Sequence, residues 1–427
     1  MSIQAEEAAA RPVSGTRPYL VVGSLVAGLV LGVLARALPP GVSAPWVEGA
    51  SIVGQLWLNA LKMTVIPLVV ALLVTGIAQG AEAARAGRIA ARTVAWAVAV
   101  CTLSAIFGMM AMFGLVSAFP LPAEAAEALR AGLAGLSPPP GEAMPSLQDF
   151  FQNVIPSNVI AAASNGDVLP LVVFTILFAI AASQIAPARR KALVGLFEAI
   201  GDALLLVIGW VLWLAPAGVL ALAFTVGAAA GGAAFAGLVH YIVLVSLIGL
   251  FVTLAAYPIG IAAGRVPAGR FTRAMFAPQS VAISTRSSLA SLPAMLASAR
   301  VMGIRDEVAD VSLPIAVALF RATGPAMNVA VAVYVAHWMG YEPSLGQILA
   351  ATAVGAVMSY AAISLPGEIS FISSIAPIAM ALGVPIAPLV LLVAVEMVPD
   401  IIRTLGNVTM DVAVTAAVDR GESRSES

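Results

Sequence analysis

The stretch EMVPDIIRTLGNVTMD, Glu396 to Asp411, sets three acids and an arginine inside a run that otherwise reads as a membrane-spanning helix. On a helix turning about 100° per residue, Glu396, Asp400, Arg403, Asn407 and Asp411 fall within roughly 80° of arc and form one polar stripe. A charge at the bilayer centre costs at least about 2.5 to 3.5 kcal/mol on insertion scales, so such residues face a bundle interior, pair with one another or bind something. The plainest account is an internal Asp400–Arg403 pair that joins helices. Asn407 and Asp411 extend the stripe beyond what one arginine neutralises, and the stripe reads as a binding surface.

The rest of the chain supplies the membrane. Its 427 residues are 61% hydrophobic and 10% charged, with a mean hydropathy of +1.01, far above a soluble globular chain. Apolar runs able to cross about 30 Å of hydrocarbon extend over Tyr19–Leu38, Leu56–Ile77, Thr93–Phe119, Val168–Ile185, Leu193–Val226 and Leu238–Ala263, and three less regular ones follow Phe276. None shows the alternation of barrel strands, so an all-α polytopic membrane protein is expected. The first 17 residues are polar and the first apolar run is long enough to span, which argues against a cleaved signal peptide. A single cysteine, Cys101, rules out an internal disulfide. A net charge of −1 points to no nucleic-acid partner, and no polar stretch is long enough for a separate soluble domain.

Basic residues fix the expected orientation, because short cytoplasmic loops collect Lys and Arg. The clusters are Arg11 and Arg17; Arg85, Arg88 and Arg92; Arg189, Arg190 and Lys191; Arg265, Arg270 and Arg273; Arg300 and Arg305; Arg420 and Arg424. The alternate loops are nearly free of them, so both termini are placed in the cytoplasm. One interval breaks the alternation: Met275–Ala299 has basic clusters on both flanks and would enter and leave on one face as a re-entrant hairpin. Its centre, STRSSLASLP (Ser284–Pro293), is a run of small hydroxyl residues ending in proline, suited to a turn. A second interrupted stretch, SYAAISLPGEIS (Ser359–Ser370), turns at Leu365-Pro366-Gly367 without basic flanks and would re-enter from the other side. Paired, oppositely directed, interrupted segments point to an inverted-repeat transporter with its site at mid-membrane depth.

Two more arginines lie in apolar surroundings: Arg286 in the first hairpin, and Arg321 in LFRATGPAMN (Leu319–Asn328), where Thr-Gly-Pro unwinds the helix and frees carbonyls. Three arginines and up to four acids, counting Glu368, then converge, enough to hold a small zwitterion or dianion. The planar fork of arginine suits a carboxylate better than lysine does. Lys62 reads as a snorkelling residue near a helix end. His240 and His337 are lone and read as packing residues, and Cys101 as core. The serines of TRSSLAS have no histidine on a neighbouring polar stripe to activate them, so an enzyme is not expected.

Four stretches, LWLNALKMTVIPLVV, VIPSNVIAAASNGDVLPLVVFTILFAIAAS, STRSSLASLP and DIIRTLGNVTMD, together resemble the dicarboxylate and amino acid:cation symporters, the glutamate transporter family, over about Tyr19 to Ala417. That family is itself one of the known cases of paired interrupted segments. The resemblance implies eight transmembrane helices plus two re-entrant helical hairpins with inverted repeats, a homotrimer in the cell membrane, and elevator motion of a solute-carrying domain against a trimerisation scaffold. It divides the chain into a tail (1–17), six helices including the scaffold (18–264), a transport core (265–419) and a tail (420–427). Within the core it sets hairpin 1 at about 270–300, helix 7 at about 309–340, hairpin 2 at about 346–383 and helix 8 at about 386–419.

Carried over by position, the resemblance gives Ser287 and Ser288 a solute main-chain carboxylate, Asp400 the amino group, Arg403 the side-chain carboxylate and Asn407 the main-chain carboxylate. Asp411 matches a sodium ligand, with Asn407 beside it in a possible single site. Arg286, Arg321, Thr323, Pro366, Gly367 and Thr404 complete the candidate solute site. The family's Asn-Met-Asp-Gly-Thr signature aligns with Phe320, Arg321, Ala322, Thr323 and Gly324, so a sodium-binding carboxylate and a solute-touching threonine are both replaced. Ala322 cannot supply the oxygen that a hard cation wants.

The expected function is therefore cation-coupled symport of an acidic amino acid such as glutamate or aspartate. Sodium coupling is reduced or replaced by protons, with Glu368 and Glu396 as proton-coupling candidates and no cofactor beyond the ion. Arg321, always protonated, would stand in for one bound cation, or else pair with Glu368 as a closed gate. A C4-dicarboxylate symporter is the alternative. An anion channel or non-transporting membrane scaffold is the alternative of another class.

Overall fold

The computed structural model describes residues 18–85, 87–133, 155–230, 233–361 and 367–425, and these are helical with short connections. The helices are α1 (Pro18–Arg36), α2 (Pro40–Arg85), α3 (Arg88–Ala118), α4 (Ala123–Leu133), α5 (Val159–Asn165), α6 (Val168–Ala182), α7 (Pro187–Trp213), α8 (Ala215–Ala230) and α9 (Ala233–Pro258), which ends in a π turn (Ile259–Ala263). There follow α10 (Ala268–Thr285), α11 (Ser288–Met302), α12 (Asp306–Leu319), α13 (Thr323–Met339), α14 (Leu345–Ala361), α15 (Gly367–Leu382), α16 (Ala387–Val393) and α17 (Met397–Ser425).

Six helical spans among the described residues are long and apolar enough to cross a membrane: Gly41–Ala84, Arg88–Ala118, Pro187–Trp213, Phe235–Ala263, Asp306–Met339 and Met397–Glu422. The last two are the most buried and α7 the least, so the stripe-bearing helix lies at the centre. The expected run Leu193–Val226 is split at Leu214 into α7 and α8, just ahead of Pro216, which has no N–H to continue a helix. Lys62 sits half-buried in the middle of the long α2 rather than near an end. The helix α17 continues through residues 420–425.

Packing sorts the helices into two groups. One gathers α1, α6, α7 and α8 around α2. Its tightest junction is α1 on α8, where a Cβ on Gly28 or Gly32 would run into the backbone at Leu220 or Phe224. Small residues four apart let two backbones approach closely in lipid. The other group gathers α3, α9 to α12, α14 and α15 around α13 and α17. Helix α13 is buried on every side but for His337, which is how a helix that is apolar all round must sit.

Two pairs of helices fold back on themselves. Helices α10 and α11 pack together around Arg286 and Ser287, placing the turn inside the expected hydroxyl-rich stretch. Pro293 lies within α11 rather than in the turn. Helices α14 and α15 pack likewise, but Pro366, the centre of that turn, lies outside the described residues, as do the side chains around it, including that of Glu368.

Candidate functional site: a charge-balanced break between α12, α13 and α17

Three chain breaks meet. Helix α12 ends at Leu319, Phe320 is extended, and α13 starts at Thr323, so the interruption falls just ahead of Thr-Gly-Pro, whose Pro325 occupies the first turn of α13, where its missing N–H costs nothing. The freed backbone groups are satisfied from three other helices, as apolar surroundings demand. Ser104 of α3 donates to the carbonyl of Ala322, Ser359 of α14 donates to that of Arg321 at 3.4 Å, and the Thr323 N–H donates to Asn407 Oδ1 of α17 at 2.9 Å. Thr323 Oγ1 lies 2.6 Å from the same oxygen and 2.7 Å from the Arg403 carbonyl. Asn407 thus fastens α17 to the break. Ser104 carried no sequence signal, being a single hydroxyl in an apolar helix, and Ser359 entered only as the start of the second interrupted stretch.

The stripe survives folding. Glu396 sits in the turn between α16 and α17, and the Asp400 N–H donates to its carbonyl at 2.8 Å, keeping it in helical register. Glu396, Arg403, Thr404, Asn407 and Asp411 are all buried. Arg403 pairs with Glu396 rather than Asp400: its Nη2 donates to Glu396 Oε1 at 2.5 Å, and Tyr241 of α9 donates to Oε2 at 2.7 Å. Arg403 Nε is buried without an acceptor. Asp400 instead faces the first hairpin, its Oδ2 lying 3.8 Å from Arg286 Nη1.

The hairpin tip is specific in shape. Arg286 adopts the left-handed conformation, φ 52°, uncommon for a residue with a Cβ. Ser287 caps α11, its Oγ accepting from the Ala290 N–H at 3.2 Å, and Ser288 is half-buried beside it.

Asp411 is fully buried, and neither of its carboxylate oxygens has a hydrogen-bond partner. Arg321 is near enough to attract it, and Arg321 in turn is repelled by Arg403 and attracted by Asp400. The orphaned Asp411 oxygens suit a hard cation. The side-chain oxygen of Asn407 already serves Thr323 twice. Among the described residues, no cluster of three or more His, Cys, Asp or Glu forms a metal site. The described site therefore contains Arg286, Arg321 and Arg403 against Glu396, Asp400 and Asp411, a balanced set in an apolar surrounding.

Comparison with known proteins decides what such a set belongs to. Residues 18–421 match the model of the sodium:dicarboxylate symporter family. The chain belongs to the sodium:dicarboxylate symporter family. Its similar relatives include a C4-dicarboxylate transport protein of Laribacter hongkongensis, 25% identical over 96% of this chain and 90% of that one. The proton/glutamate-aspartate symporter of Escherichia coli is 24% identical over 95% and 93%. The proton/sodium-glutamate symport protein of Bacillus subtilis is 26% identical over 96% and 93%. The relatives of this symporter family are transporters, so a transported solute and a coupling ion are the terms in which its charged break is read.

Proposed function

We propose that this membrane protein is a secondary active symporter of small acidic solutes, most directly an acidic amino acid such as aspartate or glutamate. The observation that carries the reading is the balanced set of three arginines and three acids gathered at the helix break. A solute with two carboxylates and one amine meets a partner for each charge there. Arg403 takes the distal carboxylate with its unused guanidinium edge. Asp400 takes the amine, releasing Arg286. Ser287, Ser288, Thr404 and the amide of Asn407 surround the remaining carboxylate, with Thr323 holding Asn407 in place.

Coupling follows from Arg321. It compensates Asp411 permanently, a place where a transported cation would otherwise sit, and the carbonyls of the break already carry protein donors. Coupling then falls to a proton on Glu396 or Glu368, or to one sodium ion at Asp411. Movement is by the elevator mechanism, the group around α13 and α17 travelling against the group around α2. The fold is eight spans plus two re-entrant hairpins, assembled as a homotrimer in the cell membrane with both termini cytoplasmic.

A C4-dicarboxylate is the second reading, favoured by the Arg286–Asp400 approach: if that pair persists, no acid is free for an amine. Counterflow in liposomes decides. Labelled aspartate exchanged by internal aspartate but not succinate supports the first reading; the reverse supports the second. Non-saturable flux of either contradicts carrier action.

A further inference from the structure

At one end of α13, away from the solute site, His240 joins three elements. Its Nε2 lies 2.9 Å from the carbonyl of Phe119 at the end of α3, and its Nδ1 lies 3.1 Å from the hydroxyl oxygen of Tyr334 on α13. The Tyr334 hydroxyl also lies 2.9 Å from the carbonyl of Gly237 in α9. We propose that His240 is a proton-binding site, remote from the solute, that sets how firmly Glu396 holds Arg403.

The atoms force the choice. A carbonyl only accepts, so Nε2 must carry a proton to bond Phe119, and Tyr334 must spend its one hydroxyl proton to bond Gly237. All three contacts are then made only if Nδ1 also carries a proton and donates to the Tyr334 oxygen. That is the imidazolium form. When His240 is neutral, one of the three contacts is lost: with the proton on Nε2, Tyr334 turns its hydroxyl to Nδ1 and leaves Gly237, and with the proton on Nδ1 the Phe119 carbonyl loses its donor. Histidine is the side chain that makes this change within about pH 5 to 8.

The consequence reaches the solute site through packing. The Tyr334 ring stands edge-on to that of Tyr241, with centroids 5.5 Å apart and planes at 63°, and the Tyr241 hydroxyl is the donor to Glu396 Oε2. With His240 protonated, Tyr334 is held at both partners, Tyr241 stays aligned on Glu396, and Arg403 is kept where a carboxylate can meet it. The ionisable neighbours from the packed elements are Tyr334 and His337 of α13, Tyr241 of α9 itself, and Arg130 of α4, which donates from Nε to the Trp338 carbonyl at 2.6 Å. None of them is an acid that would hold the imidazolium permanently, and the two acids of α4, Glu124 and Glu127, are exposed. Helix α3 contributes no ionisable side chain at this end.

The proposal rests on Arg403 as the solute contact. The chain has two histidines, so ring NMR of the purified full chain carrying His337→Gln follows His240 alone, while calorimetry with aspartate and with succinate follows binding separately. The His240 resonance should move with pH between those of its neutral and imidazolium forms. Bound solute should move its midpoint to higher pH, and affinity should rise about two- to twelvefold on the acid side, the worth of one hydrogen bond. By reciprocity, His240→Gln should remove that part of the pH profile. Tyr334→Phe should leave the titration but abolish its response to solute. A His240 that keeps one form across the range overturns the proposal, as does a midpoint that ignores a solute shown to bind. Absence of binding at every pH contradicts the transport reading instead, and the titration remains visible to tell the two failures apart.

Discussion

Arg403 is buried, holds Glu396 through Nη2, and keeps an unpaired Nε, so half of its fork is already spoken for and half is open. Arg403→Cys should cost acidic solutes at least about tenfold in affinity, as loss of a charge-assisted bond of about 1.5–3 kcal/mol implies, and a competition assay reads it. Asp400→Ser should weaken amino acids more than dicarboxylates; equal loss of both would mean that Asp400 serves only Arg286. Tyr241→Phe strands Glu396 Oε2 in a buried place and should lower stability by about 1–3 kcal/mol, read as a fall in melting temperature. The stripe was legible in the sequence because helical periodicity alone aligns its members. Its pairing was not. Periodicity favours the near neighbour Asp400 for Arg403, whereas the acid that reaches the guanidinium is Glu396, steered by a tyrosine 155 positions away that looks like any aromatic in an apolar run.

Among elements, the break at Phe320–Ala322 shows what a sequence can and cannot disclose. Proline and glycine after Arg321 signalled an interruption, but its position depends on who satisfies the backbone. Ser104, Ser359 and Asn407 do so from three other helices, and such contacts leave no local pattern. The same helices meet at Gly108, where a Cβ would run into the Ala326 carbonyl on α13. Gly108→Val must push α3 away from α13. It should cost about 1–3 kcal/mol as an overpacked contact and weaken solute binding with it, because Ser104 lies one turn away on α3. Thermal unfolding and binding measured on one preparation test both halves. The turn between α10 and α11 falls inside the hydroxyl-rich stretch that the sequence singles out. Its proline misled, since Pro293 fits inside α11 and the turn is made by Arg286 in a left-handed conformation.

For the whole molecule, the far end of the helix group around α13 and α17 is fastened by charge. Glu422, buried in the last turns of α17, takes Arg88 at 2.5 Å and Arg92 at 2.6 Å from the start of α3, and Asp419 takes Arg305 at 2.8 Å before α12. Glu422→Gln should lower stability by about 1 kcal/mol, the arginines being partly exposed and their attraction screened, and added salt should erase the difference. At the centre, the same molecule keeps Arg321 opposite Asp411. A transporter that carries a fixed cation there should need few transported ones. The direct measurement is uptake of labelled aspartate and succinate into liposomes under sodium and proton gradients imposed separately, for the natural chain and for Arg321→Met. The account predicts accumulation driven by the proton gradient with shallow or no sodium dependence, and a gain of sodium dependence in the variant. Steep, multi-ion sodium dependence in the natural chain would contradict it.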